Sequence, residues 1–415
     1  MVGGSHLVHR HGAQLCCLAR AIGRSGSVVR DWTGRNDGIR DLGCFHLARV
    51  CERAATIAPL AAFDVQLLRH WPGSNRGGTD LEVLIMARSI VVVGSVNLDV
   101  VASVDRIPAP GETLTGKTFQ TFFGGKGGNQ AVCVAQLGYP VSIVAKVGDD
   151  EIGEGLRNGL RSAGVSTSAV TIANRMSSGV ALIVTDRHGQ NSIVVVPGAN
   201  GKLLPADILR QQSLLESAGA ILLQLEIPLE TVTCAVEIAH KKKIPVILDP
   251  APARELSRKL LAKVTWLTPN ESEAWALCGG TSGATPDAAT VKGFAEDLLA
   301  RGPKYVVVKV GSRGAYLAAS HGERQYIPAY QVRATDCTAA GDAFNGGLAV
   351  GLMKSPKIIG ALQFASAVAA LSVTRAGAQP SMPSKTEVSR FIKKGHLGES
   401  NEFLENTLHT MRADD

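Results

Sequence analysis

Asp336-Cys-Thr-Ala-Ala-Gly-Asp-Ala-Phe-Asn-Gly346 is the stretch on which the reading of this 415-residue chain turns. Three small residues, Ala339, Ala340 and Gly341, lead into a helix-compatible segment, Gly341–Leu352. The first N–H groups of a helix have no partner inside it, and the helix dipole adds positive potential there. A helix start free of bulky side chains therefore predicts an anion-binding tip. Asp342 sits at that tip. A carboxylate there can simply complement the dipole. Taken alone, that is the better reading of Asp342.

Working outward, short apolar runs alternate with helix-compatible ones. Ser89–Val93, Val141–Lys146, Ala220–Leu225, Pro245–Leu248 and Tyr305–Val310 read as strands, and Leu267 precedes Pro269-Asn270. Asn129–Leu137, Glu151–Ala163, Leu229–Lys242, Asp287–Ala300 and Lys357–Ala376 read as helices. Several of the strands are continuously apolar, which marks a parallel sheet buried on both faces. The expected fold is α/β, a three-layer α/β/α arrangement around a mostly parallel sheet, with ligands at the carboxyl ends of the strands. Two stretches break the rhythm. Glu112–Phe123 alternates, and Gly179–Thr185 and Asn191–Val196 flank the turn Asp186–Gln190. These hairpin signals predict a small inserted β-sheet lid built from about 100–123 and 177–197.

Gly111-Glu-Thr-Leu-Thr-Gly-Lys-Thr118 fits the phosphate-loop pattern letter for letter. Such a loop must leave a buried strand and open a helix. Here Asp105-Arg-Ile-Pro-Ala-Pro110 precedes it, and an alternating segment ending at Gly124 follows. The reading is an edge or lid strand. A dinucleotide fingerprint is also missing after the first strand, where Val91-Val-Val-Gly94 carries a single glycine, which argues against a dehydrogenase.

Apolar residues make up 45 % of the chain and charged residues 19 %, enough for a sizeable core. The net charge of +7 comes from dispersed Lys and Arg, with no basic run interleaved with aromatics, so no nucleic-acid partner is expected. Cys16, Cys17, Cys44, Cys51, Cys133, Cys234, Cys278 and Cys337 form no C-x-x-C pair and no Cys/His cluster of zinc spacing, which reads as reduced thiols. No apolar run reaches the roughly 20 residues needed to span a bilayer, so no membrane partner is expected. Residues 1–87 stand apart as an N-terminal extension. The first 85 hold ten Arg and no Lys, with nothing acidic before Asp31. This reads either as an organellar transit segment, for plastid or mitochondrion, or as a leader ahead of an alternative start at Met86 in a cytoplasmic protein. Residues 88–395 form the main domain and 396–415 a tail.

From about Ser89 to about Phe391 the chain resembles the ribokinase family of sugar and nucleoside kinases. Two signatures carry the resemblance: Phe123-Gly-Gly-Lys-Gly-Gly-Asn-Gln-Ala131 and the Ala339–Gly346 stretch. Supporting matches are Gly94-Ser-Val-Asn-Leu-Asp99, Gln224-Leu-Glu226, Asp249-Pro-Ala-Pro-Ala-Arg254, Thr268-Pro-Asn-Glu-Ser-Glu273, Gly311-Ser-Arg-Gly314 and Thr374-Arg-Ala-Gly-Ala-Gln-Pro-Ser381. The resemblance implies ATP-dependent phosphorylation of a furanose, D-ribose before deoxyribose, fructose or adenosine. Asp342 would be the base, and Ala339, Ala340 and Gly341 the anion hole. Asn97, Asp99, Gly125, Lys126, Asn129 and Glu226 match sugar-binding positions. Asn270 and Glu273 match a motif that organises Mg²⁺ and phosphates through water; alone they read as a helix cap. Lys309, Gly311, Ser312 and Gly314 match the nucleotide loop. Ser366 takes the place of a more usual His or Asn against the adenine. Asp336, Thr338, Ser372, Arg375, Gly377 and Ser381 match the site of an activating K⁺. Ala343 and Cys337 replace more usual hydroxyl residues. A homodimer joined through the lid is implied as well. A non-catalytic sugar-binding protein would be marked by loss of the base, and Asp342 is present.

Overall fold

A computed structural model describes residues 88–188, 190–280 and 285–394. The expected extension 1–87, with its transit question, and the tail 396–415 lie outside these residues. Among the described residues there are thirteen strands: β1 Ile90–Val93, β2 Asn97–Ser103, β3 Thr118–Gly124, β4 Val141–Gly148, β5 Val170–Ala173, β6 Gly179–Thr185, β7 Asn191–Val196, β8 Ala220–Leu223, β9 Val246–Leu248, β10 Trp266–Leu267, β11 Tyr305–Lys309, β12 Ala315–Ala319 and β13 Arg324–Ile327. The helices of seven or more residues are α1 Lys126–Gln136, α2 Glu151–Ser162, α3 Leu229–Lys241, α4 Glu271–Leu277, α5 Ala288–Leu299, α6 Ala340–Lys354, α7 Ile358–Ser372 and α8 Lys385–Lys393.

Nine strands form one sheet in the order β13-β12-β11-β10-β9-β8-β1-β4-β5. All its pairings from β11 to β5 are parallel, and β12 and β13 add an antiparallel edge. The sheet is buried on both faces. Ile90 and Val92 of β1 belong to one apolar cluster, while Val91 and Val93 belong to the other. That division explains why β1 is apolar at every position: a strand buried on two sides has no solvent face to mark with polar residues. The strand order reverses at β1, which lies between β8 and β4. In open α/β sheets such a switch point opens a crevice at the carboxyl ends. The α/β class, the mostly parallel sheet and the small second sheet match the sequence reading.

The second sheet has the order β3-β2-β6-β7. Its strand β2 starts at Asn97, directly after the switch point, so Asn97 and Asp99 lie on a strand and not at a strand-end turn. The phosphate-loop lookalike is a turn leading into β3. Lys117 pairs there with Asp105, and no helix follows it. Among the described residues, Cys133, Cys234, Cys278 and Cys337 are free thiols, and no helix is long and apolar enough to cross a membrane.

Helix α6 carries Asp342, and its position depends on how closely it packs. A Cβ at Gly347 would lie 3.0 Å from the Ala365 Cα, and one at Gly351 would lie 2.9 Å from the Ala361 Cα. Both neighbours are backbone atoms of α7, which cannot swing aside. Gly351→Val would improve helix propensity by roughly 0.4 kcal/mol. Overpacking costs about 1–3 kcal/mol and should win. The expected outcome is a lower urea midpoint at unchanged m-value, measured by circular dichroism.

Candidate active site

The carboxyl edge of the large sheet collects polar side chains. Ser95 follows β1, Gln224 and Glu226 follow β8, Asp249 follows β9, Asn270 follows β10, and Lys309 ends β11. The first turns of α1 and α6 meet at the same edge, because Asn129 and Gln130 both bond to Asp342.

Asp342 is 3 % exposed. Asn129 Nδ2 donates to its Oδ2 at 2.9 Å, and Gln130 Nε2 donates to its Oδ1 at 3.0 Å. Burial pushes its pKa up to about 6. The Lys126 ammonium opposes that rise, Asp249 adds to it, and the two amides pull it back. The group is therefore ionised at neutral pH yet close enough to neutrality to accept a proton. Burial works against the charge on Lys126, but the carboxylates of Asp342, Asp249, Glu226 and Glu273 outweigh it and hold its pKa raised. The Lys126 N–H also donates to Glu226 Oε2 at 3.1 Å, and Ser95 Oγ donates to the same oxygen.

Asp99 projects from β2 into this cluster. Burial pushes its pKa up to about 7, helped by Glu226 and then Asp342. A Cβ at Gly124 would fall 2.1 Å from Asp99 Oδ2, so the glycine-rich turn is what admits the carboxylate. Gly125, at φ +81°, caps α1 with backbone alone. Asn97 is held by Asn200, whose Nδ2 donates to Asn97 Oδ1 at 2.7 Å. Asn129 Oδ1 is buried without a hydrogen-bond partner. Beside the Asp342 carboxylate, that carbonyl suits a donor supplied by a ligand, such as a hydroxyl.

The α6 tip begins at Ala339, a non-glycine residue in the left-handed region at φ 60° and ψ 13°. Ala343 N–H bonds back to Ala339 O at 2.9 Å and Ala340 N–H to Cys337 O at 3.3 Å, while the amides between them have no intrahelical partner. The Lys309 Nζ lies 3.2 Å from where a Gly341 Cβ would stand, and it pairs with Asp249 Oδ1 at 3.1 Å. Lys309 thus joins the α6 tip to the turn Gly311–Arg313, whose flanking Gly311 and Gly314 have φ +58° and +109°. A Cβ at Gly314 would meet the Ile327 carbonyl at 2.1 Å, and Ser366 Oγ donates to the next carbonyl, Pro328 O, at 3.4 Å. The turn bearing Ser312 and the α7 residue Ser366 therefore converge on one short segment. Asn270 and Glu273 form a complete reciprocal cap on α4: Glu273 N–H donates to Asn270 Oδ1 at 2.8 Å, and Asn270 N–H to Glu273 Oε2 at 2.7 Å. Burial and then Asp249 raise the Glu273 pKa against the pull of Lys309.

Beside the tip, the Asp336 carboxylate accepts the Thr338 N–H at 2.9 Å and the Gly377 N–H at 2.8 Å. Thr335 and Asp336 N–H groups both donate to Val373 O. This joins the loop before α6 to the loop after α7. Ser372 and Ser381 hydroxyls donate to Ala369 O and Ala378 O, and the Arg375 guanidinium turns to Glu387 on α8. Among the described residues no group of three His, Cys, Asp or Glu side chains could hold a metal ion.

Sequence reasoning brought Asp342, Asn129, Lys126, Glu226 and Asp99 into one cluster, and the structure places them there. It assigned no role to Gln130, Gln224, Asp249, Ser95 and Asn200. The first four lay inside quoted matches, but their partners lie far away in the chain. Asn200 had no signal beyond a buried amide following the lid strand β7.

Residues 87–385 match the family described as pfkB family carbohydrate kinase. The ribokinase of Bacillus subtilis is 41 % identical over 305 residues, covering 74 % of this chain and 99 % of its own. A deoxyribokinase of Salmonella typhi is 37 % identical over 304 residues, covering 73 % of this chain and 98 % of its own. The structure of Arabidopsis thaliana ribokinase complexed with ribose and ATP superposes with a TM-score of 0.67 at 36 % identity, covering 74 % of this chain and 99 % of that one. With its family match spanning well over half its length and such relatives covered almost end to end, the chain belongs to the pfkB carbohydrate kinase family.

Proposed function

We propose that this chain transfers the γ-phosphoryl group of ATP to the 5-hydroxyl of D-ribose, giving ribose 5-phosphate and ADP, with Asp342 as the base. The observation that carries the reading is a single one: a buried carboxylate at a helix tip, bonded by Asn129, lies in the electrostatic field of Asp99, which Glu226 also faces. Asn97, Asp99, Asn129 and Glu226, with the Gly125–Lys126 backbone, hold the furanose hydroxyls. Asp342 accepts the hydroxyl proton as the sugar oxygen bonds to the γ-phosphorus and the bond from that phosphorus to the β-phosphate oxygen breaks. The N–H groups of Ala339, Ala340 and Gly341 stabilise the transferring group, and Lys309 adds positive charge beside them. Gly311, Ser312, Gly314 and Ser366 receive the nucleotide. The likeness to a ribokinase complexed with ribose and ATP supports this assignment of ligands.

Two metal ions fit the donor sets. Mg²⁺ would be organised through water by Glu273 and Asn270, and when bound it neutralises phosphate charge. Because the cap already engages one Glu273 oxygen, a water-bridged contact suits it better than direct ligation. K⁺ fits the loop pair at Asp336, with carbonyl or hydroxyl oxygens of Thr338, Ser372, Arg375, Gly377 and Ser381, since one carboxylate among neutral oxygens suits a hard monovalent cation. Its binding would stiffen the loop that sets Ala339. The lid supports pairing with a second copy. All of β7 is exposed, including Ile193 and Val194, and β7 is a sheet edge that a partner would cover.

An ADP-release assay should give the highest kcat/KM with ribose among ribose, deoxyribose, fructose and adenosine; preference for another of these would reassign the substrate. Asp342→Asn should lower kcat by about 10²–10⁴-fold while the ribose KM changes little. Exchange of K⁺ for tetramethylammonium should depress kcat strongly in the same assay, and indifference to the exchange would remove the cation from the mechanism.

A further inference from the structure

Gln130 and Gln224 are both 0 % exposed, and the proposed chemistry uses neither. Gln224 Nε2 donates to Gln130 Oε1 at 2.6 Å. Gln130 Nε2 in turn donates to Asp342 Oδ1 at 3.0 Å and to Asp249 Oδ2 at 3.4 Å. An ionised carboxylate can only accept, so the amide nitrogen must face the two acids. Gln224 occupies the carbonyl end. A flipped Gln130 amide would set its oxygen against two carboxylates and its NH₂ against another donor. The two glutamines therefore form a one-way relay that ends on the base.

We propose that Gln130, locked by Gln224, is a positioning residue that fixes the rotamer of Asp342 and stabilises its ionised form during sugar phosphorylation. The proposal rests on Asp342 being the base. Lys126 and Cys133 of α1, Asp99 of β2 and Asp249 after β9 face Asp342. Lys309 is tied to Asp249, and Glu226 and Glu273 complete the field around Lys126. Burial raises the Cys133 thiol and keeps it neutral. Asp99 and Asp342 are left to titrate near the working pH. At saturating ribose Asp99 is engaged by substrate, so the acid limb of kcat reports on Asp342.

The test is kcat against pH, at saturating ribose and ATP, for the full chain and for Gln130→Met and Gln224→Met. Methionine keeps the volume and removes the donors. Gln130→Met should move the acid limb up by about one pH unit, a tenfold change in the ionisation constant, because a hydrogen bond to the charged form is lost. Gln224→Met should move it less and in the same direction, since it frees the Gln130 amide without deleting it. A purely structural role would lower the melting temperature and leave the limb in place. Should both folded variants keep the wild-type limb while Asp342→Asn is inactive, the relay is overturned and the base stands. An active Asp342→Asn would instead overturn the base, and the relay with it.

Discussion

Everything at the sheet's carboxyl edge depends on a buried imbalance of charge. Asp99, Glu226, Asp249, Glu273 and Asp342 gather around two ammonium groups, Lys126 and Lys309. Buried charges persist only when paired and hydrogen-bonded. Two cations cannot satisfy five acids. The cluster responds by raising the pKa of Asp342, Asp99 and Glu273, each mainly through burial. Lys126 opens α1, where the dipole disfavours a cation and no acidic residue offsets it in the first turn. A helix optimised for stability would not begin this way. The lysine is tolerated there because the acids hold it.

The second constraint is backbone. Ala339 adopts a left-handed conformation that costs a non-glycine residue about 1–2 kcal/mol, and it does so at the N-cap of α6, the tip that the proposed function sets against the transferring group. Asp336 offsets that cost by gripping Thr338 on one side and Gly377 on the other. Strain at a functional tip and the brace beside it form one device. The close packing of α6 on α7 at Gly347 and Gly351 extends the brace down the helix axis.

The elements legible in the sequence were those whose signal is local. β1, β4 and β11 announce themselves as apolar runs, and the α6 tip as small residues before a helix. The strands β12 and β13 did not stand out. Ala315–Ala319 is alanine-rich and has weak intrinsic strand preference, and pairing with β11 makes it a strand. Helix α7 stops at Ser372 and not near Ala376 because the chain must turn back to meet Asp336. In the site, the place of Asp342 at a helix start was legible, but its part as a base came from the family resemblance and not from that place alone. The role of Gln130 was not legible, because its partners Asp342 and Asp249 lie 212 and 119 residues away. Asn200 braces Asn97 from 103 residues away, with equally little local trace. Only the sheet register brings such pairs together.

The same geometry separates the duties of two neighbouring carboxylates. Asp342 has an amide donor on each oxygen and an ammonium in its field, and these oppose the burial that pushes its pKa up to about 6. Asp99 sits on the lid strand β2, pushed to about 7 by burial and by the acids facing it. Its raised pKa brings a protonated form, which can donate as well as accept, nearer to neutral pH than for an exposed carboxylate. A furanose offers neighbouring hydroxyls that do both, so a group that can take either form suits binding. A base needs a fixed orientation toward the proton it accepts. Environments that push two carboxylates apart assign the acid-base roles. In the proposed reaction Asp342 takes the part of the base because it is the one of the two that the α1 side-chain amides reach.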